Sequence, residues 1–207
     1  MNVFEAVNRL SRVLCTRSLL TVMSCLVIFS ASKSFAGTIN VPADYPTIQG
    51  AINASGNDDV IIIAAGTYNE HSLNTLGKAI TIQGTVNGDG TLATTIDAQQ
   101  GGSVFFINSG ETSGTVIQNL IMTGGRSNYG GGISCFQSSP TISGCTIEGN
   151  TANIVGGGIN CLASSPIISD CAIMGNSSNF DGGGIDCMSN SNPTISGCTI
   201  SGNTTNN

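Results

Sequence analysis

Charged residues make up only 9% of this 207-residue chain, tryptophan is missing, and histidine occurs once, as His71. Lysine and arginine total six against twelve aspartates and glutamates. Four of the six cations, Arg9, Arg12, Arg17 and Lys33, fall in the first 36 residues, where Glu5 is the only acid. Beyond residue 36, Lys78 and Arg126 alone face eleven acids, a net charge close to −9. Binding nucleic acid phosphates or an anionic lipid surface needs clustered Lys and Arg, so this composition excludes nucleic acid as a partner and argues equally against unaided binding of a polyanion. No Cys-x2-Cys pair occurs and no histidine lies near the later cysteines, so a structural zinc site is excluded by pattern.

Long apolar runs are also scarce. The one run, over residues 19–31, contains Thr21 and Ser24 and is short for the roughly 20 residues of a membrane span. It follows the three arginines and precedes Ser34-Phe35-Ala36, a small-x-small cleavage signature, and then Gly37. Residues 1–36 therefore read as a secretory signal peptide. The mature chain is expected to be secreted or held at the cell surface, and not to span a membrane.

What the chain has in abundance is repetition. Gly-Gly-Gly-Ile begins at Gly130, Gly156 and Gly182, each copy 26 residues after the last. Around each copy the same phrase recurs: a residue, Cys, a polar stretch, Pro, an Ile-bearing pair, then Cys, a second Ile and a Gly-Asn turn. A unit this short cannot bury its apolar face alone and must lean on its neighbours. Alternation places Ile142, Ile168 and Ile195 inward, with Ile147, Ile173 and Ile200 as a second column and Ile133, Ile159 and Ile185 as a third. Three short strands per unit, separated by Gly, Asn, Ser and Pro turns, predict an all-β parallel β-helix in which like residues stack about 4.8 Å apart. The phase extends upstream at the same spacing, with Asn119 expected at the level of Cys145 and Ile121 at the level of Ile147.

The glycine triplets suit sharp corners that need positive φ and close backbone approach. A phosphate loop would require a following helix and a Lys, whereas Ile133, Ile159 and Ile185 lead into strand-like text. Asn150, Asn176 and Asn203 read as stacked turn residues whose amides bond along the ladder. Near the front, Asp44 is expected to cap a short helix with Pro46 in its first turn and Ile48, Ala51 and Ile52 on one face. Such a helix would cover the first coil, as a terminal repeat requires. The expected layout is a signal over 1–36, a cap and irregular first coils over 37–102, and regular coils over 103–207.

At these residues the chain resembles a known family. Val41-Pro42-Ala43-Asp44-Tyr45-Pro46-Thr47-Ile48-Gln49-Gly50-Ala51-Ile52, followed by Gly66-Thr67-Tyr68 and Lys78-Ala79-Ile80-Thr81-Ile82, looks like the opening of right-handed parallel β-helix proteins of the pectin-lyase-like superfamily. Ser138-Ser139-Pro140-Thr141-Ile142-Ser143-Gly144-Cys145-Thr146-Ile147 is similar to the repeats of secreted bacterial and polymorphic outer-membrane-type proteins. The resemblance implies a right-handed parallel β-helix with a short N-terminal capping helix. It leaves function open, because that superfamily holds polysaccharide lyases, hydrolases, esterases, adhesins and chains without activity.

Esterase signatures have no counterpart here. The galacturonase pattern of clustered Asp, Gly-His and Arg-x-Lys is also absent, His71 lying ahead of the repeats. Asp58 and Asp59 are adjacent, so they would point to opposite faces of a strand and read as a polar turn. The pectate lyase pattern, Ca²⁺ held by Asp with a basic residue nearby, leaves Arg126 as the candidate catalytic base and Asp181 and Asp186 as candidate Ca²⁺ ligands. No other cofactor is implied. Cys135, Cys161 and Cys187 form one cysteine column and Cys145, Cys171 and Cys198 another. They are either stacked small apolar side chains or disulfides, with fifteen pairings open.

The repeat count expects the next triplet at position 209, so further coils or domains are expected after Asn207. Two functions follow from these residues. One is an exported, non-catalytic module that binds a polysaccharide or cell-surface glycan or acts as a scaffold. The alternative is a polysaccharide lyase or glycoside hydrolase acting on an acidic polysaccharide through Arg126, Asp181 and Asp186 or through a site expected further downstream.

Overall fold

The structure, a computed structural model, describes residues 36–206, so the leader expected up to residue 36 lies almost wholly outside the described residues. The chain opens with β1 (Thr38–Val41) and α1 (Ile48–Ala54). A first coil carries β2 (Val60–Ile63) and β3 (Gly66–Tyr68), and a second carries β4 (Thr81–Gly84), β5 (Thr94–Asp97) and β6 (Phe105–Ile107). The third coil has β7 (Val116–Gln118), β8 (Ile121–Thr123), β9 (Arg126–Tyr129) and β10 (Ile133–Phe136). The fourth repeats that plan with β11 (Thr141–Ser143), β12 (Thr146–Glu148), β13 (Thr151–Val155) and β14 (Ile159–Leu162). The fifth has β15 (Ile167–Ser169), β16 (Ala172–Met174), β17 (Ser177–Ser178) and β18 (Ile185–Met188), and the last has β19 (Thr194–Ser196), β20 (Thr199–Ser201) and β21 (Thr204–Thr205).

Equivalent strands of successive coils pair in parallel, giving four sheets in the orders β1-β2-β4-β7-β11-β15-β19, β3-β5-β8-β12-β16-β20, β9-β13-β17-β21 and β6-β10-β14-β18. This is the parallel β-helix that the repeat predicts, with four short strands per regular coil where the pattern predicts three. The fourth comes from the polar text after each Gly-Asn turn, such as Thr151-Ala152, which carries little apolar signal yet pairs through its backbone. Ile61, Ile82, Ile117, Ile142 and Ile168 stack in one fully buried column, and Ile96, Met122, Ile147 and Ile173 in another. Each buried isoleucine removes apolar area worth roughly 1.5–3 kcal/mol from water. Ile195 and Ile200 continue those columns but are 43% and 49% exposed, because no described rung lies over them.

The upstream register differs from the sequence expectation by one residue. Thr141 pairs with Val116 and Ile147 with Met122, so Ile121 lies beside Thr146 and Leu120 takes the buried level of Cys145. The spacing here is therefore 25, and an irregularity between Ala152 and Val155 restores 26 where Val155 meets Tyr129. Parity explains the shift: a one-residue slip would turn Ile117 and Met122 outward and leave the core column empty.

Helix α1 starts later than expected, with Thr47 as N-cap accepting from the Gly50 N–H. Asp44 instead accepts from the backbone and side-chain nitrogens of Asn40. Ile48, Ala51 and Ile52 are buried on one face as expected. Both helix ends are tied to the first coils: the Glu70 carboxylate accepts the Ile48 and Gln49 N–H groups, and Lys78 Nζ donates to the carbonyls of Ile52, Asn53 and Ser55. An anion at the N-terminus and a cation at the C-terminus complement the helix dipole.

In each glycine triplet the work is divided. Gly130, Gly156 and Gly182 adopt φ of 60°, 71° and 58°, the left-handed corner. The second and third glycines allow close approach, since a Cβ on Gly131 or Gly132 would meet the carbonyl oxygen of the next coil at 2.6 Å.

Candidate functional site

A cleft opens where the third and fourth sheets meet. In β6, alternation buries Phe105 and Ile107 and turns Phe106 outward, where it is 40% exposed. At the end of β9, Tyr129 is equally exposed at 40%, its N–H received by Ser127 Oγ at 3.2 Å. The two rings border a cleft of about 260 Å³ that is also lined by Ser72, Ser103, Asn128 and Ser134. Ser103 Oγ donates to Gly130 O at 2.7 Å, and the Ser72 N–H to Ser103 O at 2.6 Å, so the polar wall is held by the left-handed corner of the first triplet. His71 lies beside the rim, its Nδ1 3.3 Å from Ser72 Oγ.

From Phe106 a column runs along the axis through Ser134 and Asn160 to Asp186, each opposite the last in register. Asn160 Nδ2 donates to Asp186 Oδ2 at 2.9 Å. Burial holds the Asp186 carboxyl above its ordinary value, partly offset by the Asn160 bond, and the charge of Asp181 adds to the rise. An exposed amide ladder flanks this column, with Asn153 Nδ2 donating to Asn128 Oδ1 and Asn206 Nδ2 to Asn179 Oδ1.

The structure brings Asp181 and Asp186 near each other and places Arg126 two coils before them, as the spacing predicts. The Arg126 strand position pairs with Thr151 and that with Ser177, so Arg126 stands two rungs, roughly 9–10 Å, from the coil that carries both aspartates. Its backbone N–H donates to Gly102 O at the cleft wall, and its guanidinium donates to Gln100 Oε1. For Ca²⁺, Asp181 and Asp186 have suitable hard oxygens. Among the described residues no cluster of three or more His, Cys, Asp or Glu includes them, so backbone, amide or water oxygens would have to supply the rest of the roughly six to eight ligands.

The cysteines stand where the spacing predicts, in two columns of free thiols, with Cys135, Cys161 and Cys187 directly opposite one another. Asn150 and Asn176 are fully buried: Asn176 Oδ1 accepts both the N–H and the Nδ2 of Asn150, and Asn203 Oδ1 does the same for Asn176. A second groove, of about 510 Å³, runs along the corner between the second and third sheets past Thr123, Glu148, Met174 and Ser201, and no aromatic ring lines it.

Sequence reasoning singled out Arg126 and did not single out the exposed rings of Phe106 and Tyr129. The signal was the Phe105-Phe106-Ile107 alternation, which forces one of two adjacent phenylalanines outward. It also missed Glu111, a carboxylate only 3% exposed that accepts from Thr75 Oγ1, the Gly77 and Ser109 N–H groups and Ser138 Oγ.

Residues 77–206 match a family model described as right handed beta helix region. No curated protein and no solved structure matches the chain.

Proposed function

From the premise that this chain belongs to the right-handed beta helix family, we propose that it is an exported, non-catalytic module whose flank binds a glycan at the Phe106–Tyr129 cleft. The observation that carries the reading is two exposed aromatic rings over a wall of hydroxyls and an amide. Flat ring faces match the apolar C–H face of a sugar ring, and Ser72, Ser127 and Asn128 supply donors and acceptors for its hydroxyls. The acidic surface favours a neutral glycan over a polyanionic one. Separation of Arg126 from Asp181 and Asp186 by two rungs supports binding over lyase chemistry.

Calorimetric titration with neutral oligosaccharides and with oligogalacturonate tests the reading. Neutral sugars are expected to bind, with Phe106→Ala and Tyr129→Ala each weakening affinity about tenfold, the scale of a 1.4 kcal/mol contact. Binding indifferent to both substitutions, or no binding to any glycan, overturns it. Release of unsaturated product that Arg126→Ala abolishes would establish the enzyme instead.

A further inference from the structure

We propose that Asn87 is a self-modification site: attack by the Gly88 backbone nitrogen on its side-chain amide converts it to isoaspartate and aspartate without an enzyme. The inference does not depend on glycan binding. It rests on a hairpin that the second coil projects into solvent.

Between β4 and β5 the chain departs from the repeat and extends a short hairpin over residues 85–93. The strands at its base are paired on both edges, β4 with β2 and β7 and β5 with β3 and β8, so the base is fixed. An antiparallel bridge joins Val86 to Leu92, and the Asn87 N–H donates to Thr91 O at 2.8 Å. The tip is a turn closed by the Gly90 N–H on Asn87 O at 3.0 Å, as Asn-Gly and Asp-Gly text favours. Residues 86–91 are all exposed.

Asn87-Gly88 is the one Asn-Gly step in the sequence. Glycine leaves the attacking nitrogen unshielded, and a Cβ placed on Gly88 would meet nothing within 4 Å. The Gly88 N–H is spent on no acceptor of the described chain. Elsewhere the corresponding nitrogen is tied down. The Asp58 N–H after Asn57 donates to Ala79 O, the Ser109 N–H after Asn108 to Glu111 Oε2, the Thr151 N–H after Asn150 to Gly125 O, and the Ser177 N–H after Asn176 to Asn150 O. The same turn holds Asp89-Gly90, which is restrained twice. Its nitrogen is held by Asn87 O, and bonds from the Thr91 hydroxyl and N–H keep the Asp89 carboxyl below its ordinary 3.8. An ionised carboxylate resists attack by a nitrogen.

The chemistry needs only water. Gly88 N loses its proton and bonds to Asn87 Cγ, while the Cγ–Nδ2 bond breaks and Nδ2 leaves as ammonia, taking up one proton. Water then opens the cyclic imide. Opening at Cγ gives aspartate, and opening at the main-chain carbonyl carbon gives isoaspartate, whose backbone runs through Cβ and Cγ. One water is consumed, one ammonia is released, and nothing is oxidised or reduced. Asn87 Nδ2 donates to Thr91 Oγ1 at 3.0 Å, and that hydroxyl donates to Asp89 Oδ1 at 2.7 Å. Either product removes the amide donor and sets a second carboxylate beside Asp89 across Thr91. Isoaspartate also lengthens the backbone, so the Val86–Leu92 bridge gives way while the sheets retain β4 and β5.

The full chain is incubated near neutral pH and in mild alkali, digested, and read by peptide mass spectrometry with electron-transfer fragmentation, which separates isoaspartate from aspartate. The expected result is a mass gain of about 1 Da, NH2 exchanged for OH, appearing first in the peptide that holds Asn87 and faster in alkali. Both products should map to residue 87. Amide exchange should quicken over residues 85–93 and stay unchanged in β4 and β5. Gly88→Ala shields the nitrogen, and Asn87→Gln must close a larger ring. Each is expected to slow the gain about tenfold, or roughly 1.4 kcal/mol of barrier. An Asn87 that survives in alkali, a faster gain at any other asparagine, or a rate that Gly88→Ala leaves unchanged overturns the proposal.

Discussion

The early coils and the regular coils solve the same problem by different means. From β10 onward the serine and asparagine ladders meet their counterparts one rung away: Ser138 N–H bonds to Ser164 Oγ, Ser164 N–H to Ser191 Oγ, and Asn150 and Asn176 bond to the next asparagine. Before β7 there is no copy to lean on, and single charged side chains take over. Glu70 and Lys78 hold the ends of α1, Asp59 accepts the Gly37 and Gly56 N–H groups, and Glu111 gathers four donors. Glu111 is also the junction, because Ser138, the first serine of the ladder, donates to it. Repetition makes polar satisfaction generic, whereas irregularity requires a specific ion at a specific place.

That contrast can be broken most severely at the junction. Glu111→Gln keeps the shape but replaces an acceptor-only carboxylate with an amide that brings two donors among four existing ones. The expected loss is about 2–4 kcal/mol, read from the urea midpoint, with amide exchange quickening on both sides of residue 111. In the ladder, Asn176→Ala removes one acceptor from Asn150 and one donor from Ile147 O, and is expected to cost about 1–3 kcal/mol. Exchange should quicken over neighbouring coils and leave α1 protected. If Asn176→Ala proved costlier than Glu111→Gln, the distinction between generic and specific satisfaction would fail.

The smallest effect concerns pH and has opposite signs in the two regions. Burial alone would raise Glu111, but bonds from Gly77, Thr75 and Ser109 outweigh it and hold the carboxyl below its ordinary 4.5. Its stabilisation is complete above pH 4.5 and is lost as pH falls through the lower folded value. Asp186 is raised above 3.8, chiefly by burial, so the folded state favours its protonated form and its contribution declines as pH rises past that value. Acid titration followed by amide exchange should therefore open the region near residues 75–111 before the regular coils. Asp186→Asn should stabilise slightly at neutral pH and do little in acid. A urea midpoint for that variant that rises only in acid would contradict the assignment.

Much of the core was legible because alternation and period act together. Ile142, Ile147 and Ile133 declare their columns in the one-dimensional pattern, and their buried stacks follow. The upstream register was misjudged because Thr115-Val116 matches Thr141-Ile142 in composition, whereas the core is filled by Ile117 and Met122 one position on. The candidate site was read less well. Arg126, Asp181 and Asp186 were singled out as residue types, and the 26-residue period already placed the two aspartates two coils after Arg126, as the strand pairing does. Phe106 and Tyr129 are 23 residues apart in the chain, close to one turn, yet an aromatic pair at that interval carries no signature by itself.

The amino-acid order alone determined that this chain coils with a rung of 26 residues, that isoleucine fills it, and that cysteine, glycine and asparagine stack in columns. Those properties are periodic, and periodicity is a local quantity. Only the tertiary structure decided which groups meet across different sheets: the cleft between Phe106 and Tyr129 and the gathering of four donors on Glu111. The physical reason is that contacts between sheets depend on the length of each irregular turn and on the shift at Ala152–Val155, which set lateral position without leaving a repeat to read.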